Sequence, residues 1–399
     1  MREAGGAAAP SPAGGSLAPE QARLQRLRIR DFRNLTTVDL EPPPEGLALV
    51  GDNGQGKTNF LEAVYYLQLL RSFRGARDQE LVRFGAAGFN VAATVEAARA
   101  HEIAVGFEAP RGPRTVGRKR VRLDGAELPR LADALGAVPA VIFSPQDAVL
   151  IAGPPAARRR YLDVILSLTS RPYLAALQKY RAALAHRSAA LREAAQGGDD
   201  TGIAVWEPAL AHTGALLWRA RLDWTDSQAA QFAELCAAIG EREPMRVRYV
   251  SAVPLEADIE YTLRGALERK RRLDVRRGVT HAGPHRDDLA IMLTGPDGTA
   301  RPLRTYGSAG QQRTAAIALR LLEAATLRAT SRREPVVLLD DPFAELDGHR
   351  AGRILELLNA EGRGQTLLAV PRASDIPSGL TRLDRWRVQD GALAREARR

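Results

Sequence analysis

From Leu24 to Leu40 apolar and polar residues alternate, around Leu27 and Ile29 and again around Val38 and Leu40. A period of two belongs to a half-buried strand, so this stretch predicts an antiparallel hairpin. Leu47 to Val50 is instead a short continuous apolar run, suited to a strand buried in a parallel sheet. Just beyond it Phe60, Val64 and Leu67 recur at helical spacing. Short strand patterns follow in "FNVAATVEA" and "HEIAVGFEA", and from Pro172 to about Gly240 the period becomes that of long helices.

Two seams define those helices. Tyr173, Leu177, Tyr180, Leu184, Arg187 and Leu191 step by four and three, and so do Trp206, Leu210, Thr213, Leu217, Ala220 and Trp224. They flank "QGGDDTG", a run of turn formers, which predicts an antiparallel helical hairpin. Helices of ~20 to 25 residues would make an arm of roughly 30–37 Å, far too short for a long coiled coil. No internal repeat is evident.

The loop between the first parallel strand and its helix is the chemically specific feature. Gly51, Asp52, Asn53, Gly54, Gln55, Gly56, Lys57 and Thr58 satisfy G-x-x-x-x-G-K-[ST], with Asn59 following. Bare backbone N–H groups at a helix start can surround phosphate oxygens that bulkier side chains would exclude. The lysine reaches the β/γ-phosphates and the threonine hydroxyl ligates magnesium. A glycine turn that merely precedes a lysine is the bland alternative, but chance produces the pattern in roughly two or three such chains per thousand.

A phosphate loop needs a metal carboxylate and a group that polarises the attacking water. About 280 residues later, "EPVVLLDDPFAELD" predicts a buried strand, Val336 to Leu339, ending in Asp340 and Asp341. Ligands bind at the carboxyl edge of a parallel sheet, so Asp340 is the expected magnesium partner and Asp341 the catalytic polariser of water. In "GSAGQQRTAAIALRLLEAA", Ser308 and Gly310 open a helix marked by Ile317, Leu321 and Ala324, a second anion-binding helix start. One phosphate loop does not need two such starts. The economical arrangement is two copies sandwiching two ATP molecules, each lending its serine to the other's nucleotide.

Composition adds modest constraints. The 399 residues are 45% hydrophobic and carry a formal charge of +10, with only four lysines: Lys57, Lys119, Lys179 and Lys270. The size fits two or three globular domains, and the charge suggests a polyanionic partner, although an arginine-rich proteome makes many basic proteins. The single cysteine, Cys236, excludes a disulfide framework and reads as a small core residue. No apolar run approaches the ~20 residues of a membrane span. Residues 1–20 lack the apolar middle of a signal peptide and read as a disordered tail.

Two basic stretches are candidate DNA contacts: Arg118, Lys119 and Arg120 within "RGPRTVGRKRVRLDG", and Arg269, Lys270, Arg271 and Arg272 within "RGALERKRRLDVRRG". The first could equally be a solvated hairpin. For the second, four consecutive cations repel one another without a counter-charge, which favours a DNA-facing patch over a solvated helix end.

Taken together, "GDNGQGKTN", "FSPQDAVLIAGPPAARRRYLD", "RPYLAALQKYRAALAHR", "THAGPHRDDL", "GSAGQQRT" and "LLDDPFAELD" resemble the ATP-binding-cassette ATPases, and within them the SMC-like DNA-repair branch, over roughly residues 22 to 390. The resemblance implies an α/β fold, a P-loop ATPase head with a mixed sheet plus a short, mainly helical arm. It implies that Gly51 to Thr58 form Walker A, that Gln146 is the Q-loop glutamine near magnesium, that Ser308 to Gln311 form the signature completing a partner's site, and that Asp340 is the Walker B aspartate, with Asp347 in the D-loop.

On this likeness residues 1–20 are the tail, 21–155 and 276–399 the two parts of the head, and 156–275 the arm. The implied protein is cytoplasmic and uses ATP and magnesium. It forms an ATP-dependent homodimer and binds gapped DNA or single-strand to double-strand junctions. With mediator proteins it assists the loading of recombinase onto single strands, in repair and replication-fork maintenance.

Three departures bear on mechanism. Asp341 stands where transport-type cassettes have the longer glutamate, which predicts slow turnover. Pro371 occupies the expected place of a switch histidine, and Ala344 stands where the branch usually has serine. His281, His285, Asp287 and Asp288 look superficially like a metal cluster, but the likeness marks them as a structural fingerprint. A non-hydrolysing ATP-gated clamp is the alternative reading. A transporter motor has little support, because about 250 residues including the hairpin separate Lys57 from Ser308.

Overall fold

The computed structural model describes residues 20–96, 100–110, 112, 115–343, 348–360 and 364–396. The expected tail up to residue 19, Ala344 and Asp347 lie outside the described residues.

The apolar run at 47–50 becomes the strand Gly46–Val50, in a six-stranded sheet of order Ala392–Arg395, Asp384–Gln389, Gly46–Val50, Thr366–Val370, Val336–Asp340, Ala140–Phe143. All neighbours are parallel except the Asp384–Gln389 and Ala392–Arg395 pair at the edge. The central strands are apolar throughout because each face meets a separate core. Val336, Leu338, Leu367 and Ala369 face one, and Val337, Leu339, Leu368 and Val370 face the other.

On the first face the helix Lys57–Leu69 buries Phe60, Val64 and Leu67 completely. A second, antiparallel sheet covers that core. It contains the expected hairpin, strands Arg23–Phe32 and Leu35–Leu40 with Ile29 opposite Val38 and Leu27 opposite Leu40. It continues through Gly88–Glu96, His101–Glu108 and Arg118–Leu123. The other face carries the helices Pro155–Thr169 and Ala309–Ser331.

The helical hairpin forms as expected, from Arg171–Ala195 and Glu207–Ile239. The second helix has 33 residues, so at 1.5 Å each it reaches about 50 Å, longer than the seam suggested. A third helix, Ile259–Arg277, packs against both. Strand Met245–Val250 then pairs with Asp288–Thr294, two strands that lie on either side of residue 275.

Arg187, an apparent seam position, is completely buried. It donates to Asp274 and Thr280 at 2.8 Å each and to Glu207 at 3.0 Å. Arg221 likewise bonds Asp163 at 2.7 Å and the carbonyl of Pro284 at 2.7 Å. These guanidinium groups tie the arm to the segment "THAGPHRDDL". In that segment the four suspected metal ligands have separate partners: His281 meets Asp274 at 2.7 Å, His285 meets the Tyr180 hydroxyl at 2.6 Å, Asp287 accepts from Tyr249 at 2.6 Å, and Asp288 takes Arg158 at 2.7 and 2.8 Å. Cys236 is buried, and burial pushes its thiol up to about 12.

Breaking one side of a buried ion network leaves the other charge uncompensated, at about 3–5 kcal/mol. Arg187→Ala should therefore lower stability by that order in urea denaturation. Burial pushes the His285 imidazole down to about 4, whereas exposed in an unfolded chain it titrates near 6.5. Between those values the unfolded state binds the extra proton, so stability is intact above the window and falls as pH drops through it. His285→Gln should flatten this part of the pH–stability curve.

Candidate functional site

The strands Gly46–Val50, Thr366–Val370, Val336–Asp340 and Ala140–Phe143 all end at one edge of the parallel sheet. Their continuations enclose a cleft of about 410 Å³, bordered by Gly56, Lys57 and Thr58 on one side and by Gln146, Asp340, Asp341 and Pro371 on the other. Asn53, Gly54 and Asn59 also line it.

The loop takes backbone shapes that only glycine adopts cheaply. Gly54 and Gly56 have φ of 84° and 117°, and Gly56 stands at the N-terminus of the helix Lys57–Leu69. A Cβ on Gly56 would lie 2.8 Å from the Asn34 side chain. Asn34 in turn donates to the carbonyl of Gln55 at 3.0 Å and accepts from Asn59 at 2.8 Å, bracing the loop from the hairpin turn. Gln55 does not line the cleft; its side-chain oxygen accepts the Asp390 N–H at 2.6 Å. Gly51 and Asp52 contribute carbonyls to Lys57, and Gly51 abuts the carbonyl of Val388 too closely for any side chain.

Lys57 folds back on its own loop, donating to the carbonyls of Gly51 at 2.5 Å and Asp52 at 2.8 Å. Burial holds its ammonium below the usual lysine range, against the opposing pull of Asp340, Asp341 and Asp52. Thr58 donates to the Asp340 carboxylate at 2.8 Å across 282 residues of chain. Burial raises the Asp340 carboxyl, the Thr58 bond lowers it, and neighbouring Asp341 raises it further. A buried carboxylate touching a hydroxyl beside a second acid is a set of oxygen donors that fits a small divalent cation.

Asp341 has φ of 46°, unusual for a residue other than glycine, while its N–H donates to the carbonyl of Ala369 at 2.9 Å. Such strain costs of order 1–3 kcal/mol and persists where the surroundings enforce it, commonly at functional sites. Gln146 lies in the turn Pro145–Asp147 with its side chain exposed toward the cleft.

Ser308, Gly310 and Gln311 do not border this cleft. Ser308 caps the helix Ala309–Ser331, accepting the Gln311 N–H at 3.2 Å while the Gln311 side chain accepts the Ser308 N–H at 2.9 Å. Ser308 and Ala309 are exposed. Asp147, one residue after Gln146, is buried and accepts from Arg320 of the same helix at 2.7 and 3.0 Å, so a rigid connection joins the Gln146 turn to the helix that Ser308 begins.

Sequence reasoning missed Asn34, Arg74, Asp147 and Arg320. Arg74 lines the cleft and donates to Asn59 at 3.1 Å. An arginine after the phosphate-loop helix carries no periodic signal, and only the fold brings it back to the loop.

The basic stretches divide into partnered and exposed residues. Lys119 bonds Asp78 at 2.7 Å and the carbonyl of Leu70 at 2.6 Å, and Arg271 bonds Glu207 at 2.5 and 3.0 Å, so both have internal partners. Arg120 lies 3.9 Å from Glu108, and Lys270 is 3.4 Å from the carbonyl of His281. Arg118, Arg269 and Arg272 are exposed.

Residues 23–374 match the family model of the RecF/RecN/SMC N-terminal domain. A DNA replication and repair protein RecF from Synechococcus sp. (strain JA-2-3B'a(2-13)) is 36% identical, covering 93% of this chain and 97% of that protein. The RecF of Roseiflexus castenholzii is 35% identical, covering 93% and 99%. Among solved structures, the ATP complex of the recombination mediator protein RecF in the RecFOR pathway has a TM-score of 0.85 and 29% identity, covering 96% of this chain and all of that one. The Smc head domain of Pyrococcus furiosus shares the fold, with a TM-score of 0.55 and 15% identity over 94% and 96% of the two chains. With a P-loop cleft at the ends of its parallel strands and similarity along nearly its whole length, this chain belongs to the RecF family of SMC-like ATP-binding-cassette ATPases.

Proposed function

We propose that this protein is a cytoplasmic, ATP-dependent DNA-binding protein of recombinational repair. It dimerises on ATP, binds gapped DNA or single-strand to double-strand junctions, and with mediator proteins assists recombinase loading while hydrolysing ATP slowly. The observation that carries the nucleotide part is the contact of Thr58 with Asp340, beside a lysine turned onto its own phosphate loop.

Triphosphate entering the cleft replaces the two carbonyl bonds of Lys57 with bonds to phosphate oxygens, in which the acceptor as well as the donor is charged. The N–H groups of Gly54 to Thr58 and the start of the helix Lys57–Leu69 complete the cradle. Magnesium, when bound, supplies neutralisation of phosphate charge; Thr58 and Asp340 would hold it, with Gln146 nearby. Asp341 orients and polarises the attacking water. Its side chain is one methylene shorter than glutamate, and a displacement of about 1 Å costs on the order of 100-fold in rate.

The exposed Ser308 cap supports the dimer reading, since it is an anion-binding helix start away from this chain's own phosphate loop. ATP then acts as a ligand whose differential affinity for closed and open heads sets their population. For DNA, Arg118, Arg269 and Arg272 are the exposed candidates. Among the described residues no helix is long and apolar enough to cross a membrane.

Lys57→Met should abolish nucleotide-dependent dimerisation in light scattering while DNA binding partly survives. Ser308→Arg should retain ATP binding, measured by calorimetry, yet remain monomeric. Unchanged dimerisation of either variant would contradict the arrangement. The strained, short Asp341 also favours the alternative of a non-hydrolysing clamp. Turnover at saturating DNA decides between them: hydrolysis by the native protein well above that of Asp341→Asn is expected, and equal rates would establish the clamp.

A further inference from the structure

A second cavity, of about 480 Å³, lies between the head and the arm. Its walls come from the segment 71–76 that follows the phosphate-loop helix and from the helices Pro155–Thr169, Arg171–Ala195 and Glu207–Ile239. Five arginines line it, Arg71, Arg159, Arg160, Arg181 and Arg221, and among the lining residues there is one carboxylate, Asp163. The volume suits a small ligand or one end of a strand.

The carboxylate is already committed. Asp163 accepts from Tyr173 at 2.6 Å, from Arg181 at 2.8 Å and from Arg221 at 2.7 Å. Arg159 donates to the backbone carbonyl of Asp287 at 2.6 Å, and Arg160 to that of Ser72 at 3.1 Å. Neither forms an ion pair among the described residues. Arg71 is half-buried and makes neither a hydrogen bond nor an ion pair among the described residues. Burial, then Arg160 and Arg181, hold its guanidinium below the usual arginine range against the pull of Asp163, and burial together with Arg221 does the same to Arg159 against Asp288 and Asp287.

The buried guanidinium groups of Arg158 and Arg187 have carboxylate partners; of the three in this cavity Arg71 and Arg159 are half-buried and Arg160 is exposed. Here three cations line one cavity with five N–H donors each, a fork geometry matched to phosphate oxygens, and none of the three forms an ion pair among the described residues, although Asp163 lies near Arg71 and Asp287 and Asp288 near Arg159. We propose that this cavity is a phosphate-binding site separate from the nucleotide cleft, in which Arg71, Arg159 and Arg160 hold a phosphoanion supplied by a nucleic-acid strand or by a small free phosphate compound. The ligand would rest on the segment 71–76, whose Arg74 lines the nucleotide cleft, so that the two anion sites share one short piece of chain.

The test uses the full-length Lys57→Met protein, so that the nucleotide cleft is disabled in every arm. Pyrophosphate binding by calorimetry should weaken at least tenfold when Arg71→Gln is added. Without ligand, Arg71→Gln should melt at the same or a higher temperature, because it removes a repelling charge that has no partner. Equal pyrophosphate affinity with and without Arg71→Gln overturns the proposal, and so does a lower melting temperature of the ligand-free variant, which would make Arg71 a structural residue. Competition by a 5′-phosphorylated but not a 5′-hydroxyl single-stranded oligonucleotide supports the site and assigns it a strand end. Competition by both assigns it an internal phosphodiester, and competition by neither, with pyrophosphate still bound through Arg71, assigns it a small phosphate compound.

Discussion

Every contact in the nucleotide cleft depends on the parallel register of three strands. Val50 pairs with Val370 and Asp340 with Ala369, so the phosphate loop, Pro371 and the two aspartates leave the sheet at one level. A slip of one residue would turn Val336 to Leu339 over between the two cores and move Asp340 off the sheet edge. The two apolar cores therefore fix where Thr58 and Asp340 meet, and segments nearly 300 residues apart in sequence become one site.

Electrostatics divides the molecule differently from its formal charge. The +10 balance suggests a cationic surface, yet much of the arginine is internal and neutralised: Arg187 with Asp274 and Glu207, Arg221 with Asp163, Arg320 with Asp147 and Glu323. The first two groups of pairs lie within the arm, whose Arg187 and Arg221 also reach Thr280 and Pro284 beyond it, and the third ties the Gln146 turn to the helix that Ser308 caps. Three arginines without an ion pair among the described residues, Arg71, Arg159 and Arg160, line the cavity between head and arm.

The periodic elements were legible because burial imposes periodicity. Phe60, Val64 and Leu67, the pairing of Ile29 with Val38, and the apolar run before Asp340 all appear where the pattern put them. The phosphate loop was legible because its chemistry restricts residue type at each position. Arg187 was misleading, since it takes an apolar seam position and is buried by hydrogen bonding that no spacing reveals. Lys119 and Arg271 read as DNA-facing charges because their partners, Asp78 and Glu207, are distant in sequence. Asn34 and Arg74 are single residues brought to the loop by the fold.

We propose that Thr58 and Asp340 work as one unit on the metal of a bound nucleotide. A double-mutant cycle on magnesium–ATP affinity tests it most directly, comparing Thr58→Ala, Asp340→Asn and the pair by calorimetry. If both act through one ion, the double variant should bind about as weakly as the weaker single variant. Losses that simply add would contradict the account, because they would mean that the two side chains serve the nucleotide independently.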